Sequence, residues 1–109
     1  MAEIWRTGDW NGREVAFTTA AQDHILEKHD DMAEFQANVR MAIERPDLVT
    51  RDARYGRREN HYRRIPFTGG WVNVVVNYRP VPPQGAWNGE VITAYHVPRP
   101  KPKEAKLWP

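Results

Sequence analysis

The amino-acid sequence predicts an α+β fold in which N-terminal helices pack on one face of an antiparallel sheet of about four strands. Three observations lead there. Apolar residues recur every three or four positions before Pro46 and every second position after it, a change from the helical to the extended period. The candidate strands after Pro46 follow one another through turn-like segments, which fits a sheet made of hairpins better than alternating β and α units. The length, 109 residues with 40% hydrophobic and 28% charged side chains, suits one core in a globular chain.

In chain order, Ile4-Trp5-Arg6 and Arg13 to Phe17 flank an Asn11-Gly12 turn and read as a short β-hairpin. Thr18 or Thr19 offers an N-cap to a helix over Ala20–His29. Asp30-Asp31 break that helix and start a second, Met32 to about Arg45, in which Met32, Phe35, Val39 and Ala42/Ile43 make one apolar stripe. Pro46 stops it, because the residue before a proline is pushed out of the helical region. Asp47–Thr50 is a short extended segment, and Asn60–Phe67 a strand closed by the Thr68-Gly69-Gly70 turn. In the strand Trp71–Tyr78, Val72, Val74, Val76 and Tyr78 share one face. Three prolines and two glycines make Pro80–Gly89 a loop, and Glu90–Val97 is the last strand. From Pro98 proline alternates with lysine without apolar period. The sequence therefore reads as a single globular domain over 1–97 and an extended Pro/Lys-rich tail over 98–109.

The absence of cysteine excludes disulfides, thiolate catalysis and cysteine zinc sites. No apolar run reaches the roughly 18 residues of a membrane helix, and no secretory signal is visible. A cytoplasmic protein, or a module delivered as a toxin or phage protein, is the expectation, with no membrane partner. The net charge of +2 conceals a division: residues 1–50 carry −5 and residues 51–109 carry +7. A basic half beside an acidic one points to an anionic partner, nucleic acid first.

Six arginines fall between positions 51 and 64, interleaved with Tyr55, His61 and Tyr62. Guanidinium groups grip phosphates and aromatic faces stack on unpaired bases, so Arg51, Arg54, Arg57, Arg58, His61 and Arg63 are the candidate nucleic-acid-binding residues. Arg63 and Arg64 point to opposite faces of their strand. His24 and His29 lie five apart on one helix, which is not metal-ligand spacing, and no metal site or cofactor is expected. On the last strand Ile92 and Ala94 read as core, which turns the hydroxyls of Thr93 and Tyr95 to the open face.

The stretch Thr19-Ala20-Ala21-Gln22-Asp23-His24-Ile25-Leu26-Glu27-Lys28-His29 resembles the first-helix motif of phage and polymorphic-toxin nucleases of the barnase/EndoU/colicin/RelE-like superfamily. Ala42 to Asp47 resembles their helix-ending proline, and Val74-Val75-Val76 and Val91 to Tyr95 their central and terminal strands. The resemblance spans about residues 18–96. It implies a metal-independent endoribonuclease in which the RNA 2′-hydroxyl attacks the adjacent phosphate to give a 2′,3′-cyclic phosphate. Carried onto this chain, the catalytic set is His24 or His29 with Lys28, Thr93 and Tyr95, beside a central arginine. His24 ranks ahead of His29 because it shares the less apolar helix face with Lys28. The implied partners are RNA, tRNA among the candidates, and an immunity or antitoxin protein. Two other readings compete: a non-catalytic nucleic-acid-binding module, and a phage-encoded interaction or inhibitor domain anchored by Trp5, Trp10, Trp71 and Trp87.

Overall fold

The computed structural model describes residues 2–66, 69–81 and 86–109. Seven strands among these residues join in one sheet: β1 (Glu3–Gly8), β2 (Glu14–Thr18), β3 (Leu48–Arg51), β4 (Arg58–Arg64), β5 (Trp71–Val81), β6 (Ala86–Val97) and β7 (Lys106–Trp108). Helix α1 (Thr19–Lys28), a 3₁₀ segment (Asp30–Phe35) and helix α2 (Gln36–Glu44) lie between β2 and β3. The strand order is β1-β2-β6-β5-β4-β3-β7.

This corrects the expected helices on a four-stranded antiparallel sheet. The sheet is mixed, because β2 lies parallel to β6 with Val15 opposite Gly89, while the other neighbours run antiparallel. The N-terminal hairpin is thus part of the sheet, pairing with the edge of β6 that β5 leaves free. Gly89 lies at that junction and lets side chains of β5 close over the β6 backbone. A Cβ there would stand 2.7 Å from both the Tyr78 ring and Val76.

Two further expectations change. The loop over Pro80–Gly89 is largely strand: β5 runs to Val81 and β6 starts at Ala86, with Pro80 opposite Trp87. Pairing of β4 with β5 ends at Asn77, so the chain beyond it has one side without a ladder, where proline is tolerated. The second helix is two pieces, the 3₁₀ segment and α2. The Phe67 end of the predicted strand and Thr68 in its turn fall outside the described residues, as do Pro82–Gly85 and the Trp87 side chain.

Local signals explain the helices. The Thr18 hydroxyl accepts from the Ala21 amide at 3.2 Å and caps α1. Ala21 and Ile25, four apart, are its buried residues, and Val39, Ala42 and Ile43 those of α2. They close over Val72, Val74, Val76 and Tyr78 of β5, the face predicted from the period of two, with Val15, Phe17, Val91 and Ala94. Among the described residues no helix is long and apolar enough to cross a membrane.

The register sorts the second face. Arg58, Asn60 and Tyr62 of β4 stand opposite Asn77, Val75 and Asn73 of β5, and Val75 and Asn73 stand opposite Thr93 and Tyr95 of β6. None of these belongs to the helix-covered core. Residues 98–105 cross this face before β7 pairs with β3. The segment bends at 98–99 and turns at 102–103, and it is tied down: the Lys101 amide donates to the Tyr62 hydroxyl at 3.2 Å and the Arg51 amide to the Ala105 carbonyl at 2.9 Å.

Candidate nucleic-acid interface

The site grows from β6. A bulge between Val91 and Thr93 leaves Ile92 without a partner on β5 and sets Thr93 and Tyr95 on the face away from the helices. Beyond Glu90, among the described residues, no strand pairs with the outer edge of β6, and α1 packs against the strand. The helix ends at Lys28, where the His29 amide still donates to the Ile25 carbonyl. Its ring therefore reaches the edge of β6 and lies 5.4 Å from the Tyr95 ring, centroid to centroid.

Tyr95 is held from the other side. Asn73 Nδ2 donates to the Tyr95 hydroxyl at 3.1 Å and to Asn60 Oδ1 at 3.0 Å, and Asn60 Nδ2 donates to Glu104 Oε1 at 2.9 Å. Glu104 also accepts from the Thr50 hydroxyl and the Ala53 amide. A continuous line of hydrogen bonds thus runs from the C-terminal segment to the residue beside His29. Each member has its geometry fixed by the next.

Thr93 and Tyr95 line a cavity of about 440 Å³ whose other wall is the β3–β4 loop and its flanks, with Arg54, Tyr55, Arg58 and Lys101. The Thr93 hydroxyl oxygen is buried in this wall and has no hydrogen-bond partner among the described residues. Three cations face two carboxylates here, Asp52 and Glu104. Burial raises the Asp52 carboxyl, but hydrogen bonds from the Tyr55 and Arg54 amides and the nearby Lys101 and Arg58 outweigh it, and it sits below its ordinary value.

The other predicted residues lie apart from this surface. His24 and Lys28 are exposed on α1. Arg51 and Arg57 line a second cavity, of about 300 Å³, with Asn11, Arg13, Glu59 and Tyr78. Arg63 faces the helices and donates to the Arg45 carbonyl at 2.6 Å. His61 is 0% exposed, so it offers no surface to a nucleic acid.

His61 belongs instead to a buried polar network. Its Nε2 lies 3.3 Å from both Glu59 Oε1 and the Tyr78 hydroxyl. Tyr78 donates to Asp9 at 2.6 Å, and Arg13 joins Glu59 through two hydrogen bonds, 2.8 and 2.9 Å, and Asp9 through a third. The Arg13 guanidinium also lies 3.9 Å from the Tyr78 ring centroid. Burial pushes the Tyr78 phenol far up, with Asp9 adding to the effect. Burial raises the Glu59 carboxyl too, but hydrogen bonds from His61 and Arg13 and the Arg13 charge overcome it and hold Glu59 at about 2.

Three of the four tryptophans considered as anchors are engaged internally. Trp5 stacks on Phe17, Trp10 on Trp108, and Trp71 meets Tyr62 edge-on beneath Arg64. Asn60, Asn73 and Glu104 were not legible as site residues. Asparagine inside strands was the available signal, since it is depleted there unless its amide has a partner.

No family model matches the chain, and neither a curated protein nor a solved structure does. Among the described residues no three His, Asp or Glu side chains are grouped to hold a metal ion.

Proposed function

We propose that the protein cleaves RNA without a metal, by attack of a ribose 2′-hydroxyl on the neighbouring phosphate, at the surface between His29 and the β3–β4 loop. One observation carries the reading: Tyr95 both touches the His29 ring and lines the cavity that Arg54 and Arg58 flank. Two hydroxyls and two guanidinium groups therefore line one cavity, and a proton-transfer group stands beside the ring that bears one of those hydroxyls.

RNA carries its own nucleophile, so the chain must supply a base, an acid and charge stabilisation. An imidazole changes its charge near neutral pH and is suited to take the 2′-hydroxyl proton, which gives His29 that role. The Tyr95 hydroxyl accepts from Asn73 and keeps its own proton to donate to the leaving 5′-oxygen. The Thr93 hydroxyl and the two arginines stabilise the charge that builds on the equatorial oxygens. The products are a 2′,3′-cyclic phosphate and a 5′-hydroxyl.

Incubation of the purified protein with total RNA and tRNA in excess EDTA, followed by end-group analysis, tests this. His29→Ala is expected to lower cleavage by roughly 10²–10⁴-fold with RNA affinity nearly unchanged. Full activity in that variant refutes the assignment of the base. A second reading, a module that binds RNA without cutting it, is favoured by the distribution of histidines. His29 is the histidine at this surface, His24 being elsewhere on α1. Salt-sensitive binding without cyclic-phosphate products decides for it.

A further inference from the structure

Three aromatic side chains stand among the six central arginines, and the fold disposes of them differently. Tyr62 and His61 are fully buried, whereas Tyr55 keeps 46% of its surface exposed. Tyr55 lies in the β3–β4 loop and lines the same cavity as Thr93 and Tyr95. The Arg58 guanidinium carbon lies 4.3 Å from its ring centroid and that of Arg54 5.5 Å. An exposed aromatic ring bracketed by two cations has the make-up of a stacking platform for a base that carries a phosphate.

The platform is built in advance of any ligand. Asp52 Oδ1 accepts from the Arg54 amide at 2.8 Å and the Tyr55 amide at 2.9 Å, and the Tyr55 carbonyl accepts from the Arg58 amide at 2.9 Å. Arg51 Nη1 holds the Gly56 carbonyl at 2.9 Å. Tyr55 is therefore fastened at both of its backbone groups, and the loop that carries its ring need not be ordered on binding. The ring lies outside the helix-covered core. Its position answers to the cavity.

We propose that this cavity takes an unpaired RNA strand, one base of which stacks on Tyr55 while the adjoining phosphate lies against Arg54 and Arg58. The inference rests on the reading of the surface as an RNA site and adds the class of RNA. In a duplex both faces of an internal base are already covered by its neighbours, so a side chain finds a free face only on loops, bulges, ends and single strands.

The test measures binding separately from cleavage. A fluorescent 2′-O-methyl oligoribonucleotide, which has no 2′-hydroxyl to attack, is titrated as a single strand and as the annealed duplex, with fluorescence anisotropy as the readout. The single strand is expected to bind more tightly, Tyr55→Leu to lose roughly 10- to 100-fold of that affinity, and Tyr55→Phe to keep it. Tyr55→Leu that binds the single strand as the wild type does, or duplex bound as tightly as single strand, overturns the inference while leaving His29-dependent cleavage standing. Binding of neither form overturns the inference and the RNA reading together. Loss of affinity in Tyr55→Phe as well as Tyr55→Leu overturns stacking as its source, because the phenyl ring retains the face.

Discussion

Replacing Glu59 by glutamine removes the central charge of the buried network and keeps its volume. Glu59 is held at about 2, against an ordinary value of 4.5. At about 1.4 kcal/mol per pH interval, a carboxyl held down by that amount contributes about 3 kcal/mol at neutral pH. The side chain is 7% exposed but borders the smaller cavity, where water weakens the attraction, so about 2–3 kcal/mol is the expected loss. Because the folded-state value is depressed, this stabilisation is complete above about pH 4.5. It disappears as the pH falls from there towards 2. Urea unfolding followed by tryptophan fluorescence, at pH 7 and at steps down to pH 3, reads both quantities. Glu59→Gln should be less stable at pH 7 and should close the gap to the wild type as the pH falls. A constant difference across that range, or none at pH 7, refutes the account of Glu59 as the charged hub of Arg13 and His61.

Two other perturbations probe the frame around the site. Glu104→Ala removes the acceptor of the Thr50 hydroxyl, the Asn60 amide group and the Ala53 amide, and should cost about 1–3 kcal/mol in urea unfolding; an unchanged midpoint refutes the C-terminal segment as a structural tie. Gly89→Ala drives a methyl group into the Tyr78 ring and Val76 of β5, and should cost about 1–3 kcal/mol in thermal unfolding; retention of the wild-type melting temperature refutes the close packing of Tyr78 and Val76 over Gly89.

What the sequence disclosed and what it hid follow from the range of the interactions involved. The Thr18 cap, the Asn11-Gly12 turn and the alternation of Val72, Val74, Val76 and Tyr78 are local, and each is present in the fold. The parallel pairing of β2 with β6 is not local. It joins positions more than seventy residues apart, and its β6 partners Asn88 and Gly89 look in the sequence like part of a proline-rich loop. The C-terminal strand was hidden for a related reason. Lys106–Trp108 has no period to detect, and its stability comes from β3 and from Trp10 stacked on Trp108. At the site, reading Ile92 and Ala94 as core assigns Thr93 and Tyr95 to a face; Ala94 is core, but Ile92 sits in the bulge and Val91 takes the core place. The choice between His24 and His29 could not be read from the sequence, since it depends on where α1 ends against the edge of β6.

The charge division between the two halves of the chain means less than its size suggests, because folding disposes of arginines one by one. Arg13 is committed to Glu59 and Asp9, Arg63 to the Arg45 carbonyl, and Arg51 in part to the Gly56 carbonyl. Arg54 and Arg58 differ in kind: their guanidinium groups lie against the Tyr55 ring, which leaves their N–H donors for an anion. The β3–β4 loop thus separates a network whose charged groups bond to one another from a cavity whose guanidinium donors are unspent. The Thr93 hydroxyl belongs to the second set. A buried polar group without a partner costs folding free energy, and retaining one beside two unengaged guanidinium groups is what a site for a phosphate requires. The stability of the fold is therefore expected to answer to Glu59 and Arg13, and the affinity for RNA to Arg54 and Arg58.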